Sequence, residues 1–485
     1  MLYHSTRNQN DCVNSAQAVL SGLAPDGGLY VPEKLPEFDV AACLQEDTMQ
    51  MATRIIGALL PDISNMETLV ERAYRGKFQT EELTPTADTG KFTVLELFRG
   101  PTSAFKDVAL CMLPQLLTAA KTQKGMEEDI LILTATSGDT GKAALAGFRD
   151  VPGIKICVFY PDGGVSAVQR AQMVTQEGNN VAVCAIRGNF DDAQTGVKNI
   201  FGSAEEGRLP GGNRLRLSSA NSINIGRLAP QITYYFKAYA DLLRRGQIQM
   251  SDPVNFCVPT GNFGDILAGW IAKHLGLPVG KLVCASNANN VLTDFIETGT
   301  YDRRRPFYKT DSPSMDILVS SNLERLLYFL SGDANLVAEL MKKLNTDGFY
   351  TVPEQVKQAI SQEFWAGYCD DAKAKETIRT VWQEQNYLCD PHTATGWAVA
   401  EDYVNKTGDT RPMVLLSTAS AYKFPAAVLN ALGNTEQMDE FAQMEALQAL
   451  TGWPIPENLA GLRQKKELHT GVIEKNTMLD FVMAL

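Results

Sequence analysis

Three short segments of the sequence combine residue types that could bind and act on a small anionic substrate. They are residues 99–107 (RGPTSAFKD), 134–142 (TATSGDTGK) and 258–265 (VPTGNFGD). Each segment is rich in small residues and lies between a run of apolar residues and a helical pattern. In open parallel α/β sheets, ligands bind beyond the carboxyl ends of the strands, so a site is expected at strand-to-helix turns of this kind.

The first segment contributes a lysine, Lys106, at the start of a predicted helix. The positive end of the helix dipole and partial burial both lower the pKa of such a lysine. A lysine amine that is partly neutral can form a Schiff base with a carbonyl group. From the spacing alone, the alternative of a solvated lysine in a first helical turn stays open.

The second segment is predicted to form an anion-binding turn from hydroxyl and backbone N–H groups. It is not a P-loop, because two residues separate its glycines where a P-loop has four, and Ala143 follows its lysine. A helix-capping turn without a ligand is the alternative. The groups that would bind the anion belong to Thr136, Ser137, Gly138, Thr140 and Gly141.

The third segment is a glycine-rich turn that suits a phosphate monoester. Gly261 and Gly264 permit positive φ and a close approach of the backbone to a ligand, and the following helix offers unpaired N–H groups. The segment lacks the third glycine of a dinucleotide-binding turn. Alone it is a weak signal, and its value comes from its combination with the other two segments.

The elements that must position these turns are predicted from residue 92 onward. Short, nearly continuous apolar strands alternate there with helices, which predicts parallel sheets covered on both faces. The strands are too many for one compact sheet, so we expect two α/β subdomains with a cleft between them. The larger would comprise residues 92–125 and 235–485, including a C-terminal helical extension, and the smaller, mobile one residues 126–234. Residues 1–91 are predicted to form a mainly helical N-terminal region, with helices at 49–60 and 66–75.

Composition narrows the class of protein. The 485 residues are 45% hydrophobic and carry a formal charge of −12, from 44 basic and 56 acidic residues. This balance is typical of a globular protein and argues against a binder of nucleic acid or of an anionic membrane. The nine cysteines and four histidines show no metal-ligand spacing, so we expect no metal site. The polar first ten residues and the lack of a long apolar stretch predict a cytoplasmic enzyme without a signal peptide or membrane span.

A Schiff-base lysine, a phosphate cradle and a second anion-binding turn are the parts of a pyridoxal-phosphate site. At this point the sequence resembles the threonine synthase family, and the similarity covers essentially the whole chain. The opening residues 3–7 and the segment 22–32 (GLAPDGGLYVP) also look like the N-terminal region of that family. The motifs that occur in the family's order are residues 100–107, 134–141, 219–225 (SANSINI), 259–265 and 418–424 (TASAYKF).

The resemblance implies a fold-type-II pyridoxal-phosphate enzyme, similar to the tryptophan synthase β subunit, that converts O-phospho-L-homoserine and water to L-threonine and phosphate. Lys106 would bind the cofactor covalently and act as the proton-transferring base. Thr418 would place its hydroxyl at the pyridine nitrogen. The residues that would hold the cofactor phosphate are Gly261, Asn262, Phe263 and Gly264.

The resemblance also implies a set of substrate-binding residues. Those that would hold the substrate carboxylate are Thr136, Ser137, Gly138, Asp139 and Thr140. The candidates for the phosphate end of the substrate are Asn221, Ser222 and Arg227, with Arg227 supplying charge-assisted hydrogen bonds. The expected partner is this small molecule alone, bound by a monomer or a homodimer.

Two positions depart from the family's usual pattern. Arg99 and Ser420 stand where relatives often have histidine. His392, in the segment DPHTATG just before a predicted helix, is interpreted as a structural residue rather than a base, and a position near the cleft stays open. Three other functions stay open: a phospho-lyase on this scaffold that stops at 2-oxobutanoate, a related pyridoxal-phosphate-dependent amino-acid lyase, and a catalytically inactive ligand-binding regulator.

Overall fold

The computed structural model describes residues 1–136, 138–204, 209 and 215–485. Its strands are β1 Leu2–Ser5, β2 Asn8–Asn14, β3 Tyr30–Pro32, β4 Thr86–Asp88, β5 Thr93–Glu96, β6 Asp129–Ala135, β7 Ile154–Pro161, β8 Val181–Arg187, β9 Leu215–Ser218, β10 Val254–Pro259, β11 Val279–Ser286, β12 Thr300–Asp302, β13 Phe349–Thr351, β14 Phe364–Tyr368, β15 Met413–Ser417 and β16 Val472–Glu474. Two of these strands, β12 and β13, form a small antiparallel pair outside the main sheets.

The α-helices connect these strands and cover the sheets. They are α1 Ser15–Ser21, α2 Val40–Cys43, α3 Thr48–Leu59, α4 Met66–Tyr74, α5 Lys106–Gln123, α6 Asp139–Phe148, α7 Ala167–Val174, α8 Phe190–Ser203, α9 Ile225–Arg244, α10 Gly264–His274, α11 Val291–Thr298, α12 Leu323–Ser331, α13 Ala334–Thr346, α14 Glu354–Glu363, α15 Asp371–Gln385, α16 Pro391–Thr407, α17 Pro425–Ala431, α18 Glu440–Thr451 and α19 Met478–Met483. Among the described residues, no helix is long and apolar enough to cross a membrane.

The larger sheet has the strand order β14-β11-β10-β15-β5-β4 and is parallel except for β4. Every residue of β10 and β15 is buried, as expected for central strands with helices on both faces. Helix α9, which is buried along nearly its whole length, packs against α3, α5 and α10. This packing fixes the helices that start at the carboxyl edge of the sheet.

The smaller sheet has the order β16-β8-β7-β6-β9 and is entirely parallel. The two sheets together confirm the predicted α/β class with two parallel or mixed sheets. The C-terminal strand β16 differs from the predicted division, which assigned all of residues 235–485 to the larger subdomain. A strand of three residues is too short to show an alternating or apolar pattern in the sequence.

Two further features differ from the predicted division of the chain. The predicted boundary between residues 234 and 235 falls inside helix α9, which the larger subdomain packs around. The N-terminal region contains a three-stranded antiparallel sheet, β2-β1-β3, beside its helices. These strands are short, and β2 is polar and mostly exposed, so the sequence pattern gave no strand signal there.

Candidate functional site

A cavity of about 390 Å³ opens at the carboxyl ends of strands from both sheets. It brings together residues from all three of the turns that the sequence singled out. Ser137 lies outside the described residues. The predicted site residues that line the cavity are Lys106, Thr136, Gly138, Asp139, Thr140, Asn221, Ser222, Arg227, Gly261, Asn262, Gly264 and Thr418.

Lys106 is the first residue of α5 and presents its amine to the cavity. Its Nζ donates a hydrogen bond of 3.4 Å to Ser314 Oγ and lies 4.6 Å from the centre of the Phe105 ring. Burial lowers the pKa of Lys106 to about 8; Asp139 opposes this effect, whereas Lys423 and Arg227 add to it. The sequence predicted a lowered pKa from the helix dipole and burial, and burial is the main cause in the structure. The amine is therefore poised for proton transfer near neutral pH.

The glycine-rich turn leads directly into α10. Phe263 adopts a left-handed conformation, with φ of 65°, and its side chain is buried against Phe364, outside the cavity. The N-cap residue Phe263 makes no side-chain cap, and the Asp265 carboxylate accepts a hydrogen bond from the Ile266 N–H group at 2.9 Å, so the N–H groups before Ile266 stay open to a ligand. A Cβ atom on Gly261 would lie 2.6 Å from the carbonyl oxygen of Ser314, so the backbone approaches too closely for any other residue. A glycine-rich turn that leads into a helix start of this kind suits a phosphate group.

The turn at the start of α6 is organised by Thr136. Its hydroxyl accepts hydrogen bonds from the backbone N–H groups of Gly138 and Gly141, at 3.0 and 3.1 Å. The sequence analysis assigned these N–H groups to an anion, whereas in the structure Thr136 occupies both. Thr136 therefore shapes the turn, and of the first turn of α6 the N–H groups of Asp139 and Thr140 remain for a ligand.

Asp139, in the first turn of α6, forms a buried ion pair across the cleft. Its Oδ1 lies 2.6 Å from Lys423 Nζ, and both side chains are at most 4% exposed. Lys423 also donates a hydrogen bond to the carbonyl oxygen of Thr102. Burial acts to raise the pKa of Asp139, but Lys423 and Lys106 outweigh it and lower that pKa below its ordinary value. The pair links the smaller subdomain to the turn that follows β15.

Arg227 is a buried cation with spare hydrogen-bonding capacity. It lies in the first turn of α9, and its Nη1 donates to the carbonyl oxygen of Ala220 at 2.6 Å. Its Nε is buried without a partner among the described residues, and burial lowers its pKa to about 10. A buried and incompletely paired charge is unfavourable, so an anion in the cavity would stabilise Arg227.

Several lining residues were missed by the sequence analysis. Asp265, which follows the glycine-rich turn, is buried, and burial raises its pKa to about 6. His392, which the sequence favoured as structural while leaving a position near the cleft open, lines the cavity beside Ser314. Its position before a helix in the motif DPH was a signal for this. Ser314 and Gln169 gave no signal, because only tertiary packing brings their segments to the cavity.

The two departures from the family pattern lie away from the cavity lining. Arg99 forms an ion pair of 2.6 Å with Glu96 and lies over the Phe98 ring. Ser420 caps the short turn 421–423 by accepting a hydrogen bond from the backbone of Tyr422. Both residues therefore have local structural roles. Among the described residues, no group of three or more His, Cys, Asp or Glu side chains could hold a metal ion.

Comparison with family models gives three matches along the chain. A model described as "Pyridoxal-phosphate dependent enzyme" matches residues 79–418. Models described as "Threonine synthase N terminus" and "Threonine synthase, C-terminal" match residues 2–74 and 393–479. Together these matches cover most of the sequence.

Similar proteins agree with these models. Threonine synthase of Pseudomonas aeruginosa is 41% identical over 440 residues, which cover 89% of this chain and 90% of that protein. The human protein named Threonine synthase-like 1 is 38% identical, but the match spans only 58% of its length. The crystal structure of PLP-bound threonine synthase from Brucella melitensis has a TM-score of 0.89 and 38% identity, covering 100% of this chain and 99% of that one. The chain therefore belongs to the threonine synthase family of pyridoxal-phosphate-dependent enzymes.

Proposed function

We propose that the protein is a threonine synthase, which converts O-phospho-L-homoserine and water to L-threonine and phosphate. The observation that carries this proposal is the composition of one cavity. It contains a lysine with a lowered pKa, Lys106, a glycine-rich helix start at residues 261–264, and the buried Arg227 with an unpaired Nε. These groups suit a carbonyl cofactor, its phosphate and a second phosphate.

The residues of the cavity fit pyridoxal phosphate. Lys106 would bind its aldehyde carbon, the uncapped start of α10 would hold its phosphate, and the Thr418 hydroxyl would face its ring nitrogen. A neutral hydroxyl at that nitrogen does not enforce a positive charge as a carboxylate would. When bound, the cofactor supplies an electron sink for the bonds at the substrate's α-carbon.

The substrate would lie between the two remaining anion-binding features. The first turn of α6, shaped by Thr136, would hold the carboxylate with its N–H groups and the Thr140 hydroxyl. Arg227, with Asn221 and Ser222, would bind the phosphate end. This placement orients the substrate's C–H bonds toward Lys106 Nζ, and closure of the cleft would exclude water.

Lys106 would then move the protons of the reaction. Its Nζ would take the proton from the α-carbon and next one from the β-carbon. Phosphate leaves from the γ-carbon, which gains a proton and becomes the methyl group. Water then adds its hydroxyl group at the β-carbon, and the α-carbon is protonated again. The remaining proton of the water balances the one taken up by the released phosphate. The pKa of about 8 lets one amine both accept and donate protons near neutral pH.

Identification of the product tests this proposal. Protein loaded with pyridoxal phosphate is incubated with O-phospho-L-homoserine, and the products are identified by proton NMR and mass spectrometry. We expect threonine in equal amount to phosphate. 2-Oxobutanoate as the sole carbon product would contradict the proposal in favour of a phospho-lyase, which phosphate release alone does not distinguish.

The role of Lys106 is tested by a pair of lysine variants. Lys106→Ala should abolish turnover, whereas Lys124→Ala, which changes an exposed lysine at the other end of α5, should keep it. Borohydride should fix the cofactor onto Lys106 in the unmodified protein, and peptide mapping would locate the modified residue. Failure of the protein to bind cofactor would favour an inactive regulator. The cytoplasmic location and the choice between monomer and homodimer stay predictions from the sequence.

A further inference from the structure

His392 is a buried histidine whose two ring nitrogens have different partners. Its Nδ1 lies 2.6 Å from Asp390 Oδ2, and its Nε2 lies 3.1 Å from the backbone nitrogen of Ser314. A backbone N–H group can only donate, so Nε2 must be the acceptor. The ring proton therefore lies on Nδ1 and is donated to Asp390. This pattern assigns His392 as a neutral imidazole in one defined tautomer.

Asp390 is itself held firmly. It caps the start of α16 by accepting hydrogen bonds from the backbone nitrogens of His392 and Thr393, at 3.0 and 3.1 Å. The Thr393 hydroxyl donates to Asp390 Oδ1, the oxygen that does not contact the His392 ring. The same hydroxyl also contacts the Ser417 hydroxyl at the end of β15. The carboxylate therefore cannot rotate away from His392 without breaking several hydrogen bonds.

The partner of His392 belongs to a short helical turn, residues Pro313–Met315. Ser314 in this turn makes two contacts with the candidate site. Its hydroxyl accepts the hydrogen bond from Lys106 Nζ, and its carbonyl oxygen packs against Gly261 in the phosphate cradle. The turn is thus placed between the reactive amine and the predicted cofactor phosphate.

We propose that Asp390 and His392 form a positioning device that fixes the turn 313–315 and so holds the Ser314 hydroxyl at Lys106 Nζ. His392 acts through Ser314 and is therefore a positioning residue. The inference rests on the proposed function, since it gives Lys106 the role of base. It extends that function, because it identifies what orients the amine.

The effect on Lys106 can be separated from the other charges around it. The charged groups that face Lys106 are Asp139 of α6, Arg227 of α9, Asp265 of α10 and Lys423 after β15. None of these is part of the Asp390–His392–Ser314 chain. Because Lys106 donates to Ser314 Oγ, the hydroxyl stabilises the protonated nitrogen, and its loss should favour the unprotonated form.

The test uses substrate-free protein loaded with pyridoxal phosphate. The pH midpoint of the visible absorbance change of the cofactor bound to Lys106 is measured in Ser314→Ala, His392→Leu and the double variant. We expect each single variant to lower the midpoint by about one pH unit. The double variant should show no larger shift than either single variant, because both changes remove one effect. Additive shifts, or no shift in His392→Leu, would overturn the proposal.

Two further variants separate positioning from a structural role. Gln at position 392 carries an acceptor near the position of Nε2, so His392→Gln should keep the midpoint of the unmodified protein. His274 also pairs with a carboxylate, Glu363, at 2.9 Å, but at the far end of α10. His274→Leu should therefore leave the midpoint unchanged, and a shift in this control as large as that in His392→Leu would count against positioning.

Turnover gives the second readout. Ser314→Ala and His392→Leu should each lower kcat about five- to tenfold while KM changes less than about twofold, since the substrate-binding groups are untouched. An increase in KM with unchanged kcat would overturn the proposal. The absorbance measurement needs no substrate, so it stays decisive even where the product assay shows a keto acid and the proposed function fails.

Discussion

At the scale of single residues, the site depends on charges that are unfavourable unless a ligand is bound. Lys106 has a pKa of about 8, against 10.5 for an ordinary lysine, chiefly because it is buried. Arg227 is buried with an unpaired Nε, and Asp265 has a pKa raised to about 6 by burial. Such groups trade stability for function, because burial makes their charged forms unfavourable.

Because burial disfavours the charged form of Lys106, replacing this lysine with an apolar residue should stabilise the cofactor-free protein. Between about pH 8 and 10.5, the unfolded chain binds more protons at position 106 than the folded protein does, so stability rises with pH through this range. Lys106→Met should therefore be more stable than the unmodified protein by about 1–3 kcal/mol at pH 7, and this gain should decline above pH 8. Urea unfolding of both proteins from pH 7 to 10.5 measures the difference. A gain that is constant with pH would contradict this account of Lys106.

Gly261 provides a prediction about the cofactor. In Gly261→Ala, the new Cβ atom would lie 2.6 Å from the Ser314 carbonyl oxygen, so the cradle must widen. We expect the Kd for pyridoxal phosphate to rise at least about tenfold, the equivalent of one good hydrogen bond to a charged group. The matched control is Gly202→Ala in α8, where nothing lies within 4 Å of the added atom. Absorbance titration with cofactor measures both, and equal affinities would contradict the prediction.

At the scale of elements, strand-to-helix turns place the site, and one ion pair joins two of them. Asp139 at the start of α6 and Lys423 after β15 lie 2.6 Å apart and are almost completely buried. The buried pair restrains the smaller subdomain against the larger one. It also sets the charge beside Lys106, because Asp139 raises the pKa of that amine and Lys423 lowers it.

Breaking this pair should be strongly destabilising. Lys423→Met leaves the Asp139 carboxylate buried without its main partner, which is expected to reduce the free energy of unfolding by about 3–5 kcal/mol. The double variant Asp139→Asn with Lys423→Met removes both charges and should recover part of the loss. Urea unfolding at pH 7 compares the three proteins. A single variant as stable as the unmodified protein would show that the pair does not hold the subdomains together.

The elements also show how far the sequence determines the site. The strands β5, β6 and β10 could be predicted because they lie in largely apolar runs, and the turns after them supplied Lys106, Asp139 and Gly261. Ser314 and Gln169 could not be predicted, because their segments reach the cavity through packing of distant parts of the chain. The two hydrogen bonds that the Thr136 hydroxyl accepts could not be predicted either, because a sequence does not show which N–H groups a hydroxyl will bind.

At the scale of the whole molecule, the smaller sheet is completed by residues 472–485, which are distant in sequence from its other strands. Strand β16 pairs with β8, α19 packs against α8, and Lys155 donates to the carbonyl oxygen of Leu485. Deletion of residues 472–485 should increase hydrogen exchange in β8 and α8, because it removes the pairing at the edge of β8. Exchange in β10 and β15 of the other sheet should be unchanged. Mass spectrometry of exchanged peptides measures this, and unaltered protection in β8 would contradict the role of β16.

The position of β16 in the chain has a consequence for biosynthesis. While the protein is being translated, β8 has an unpaired edge until residue 474 has left the ribosome. The larger sheet cannot form completely until residue 417 has been synthesised, because its central strand β15 ends at Ser417 and lies between β10 and β5. Both sheets therefore stay incomplete until these strands have been synthesised, so a nascent chain that stalls before residue 474 would expose strand edges that can pair with other chains.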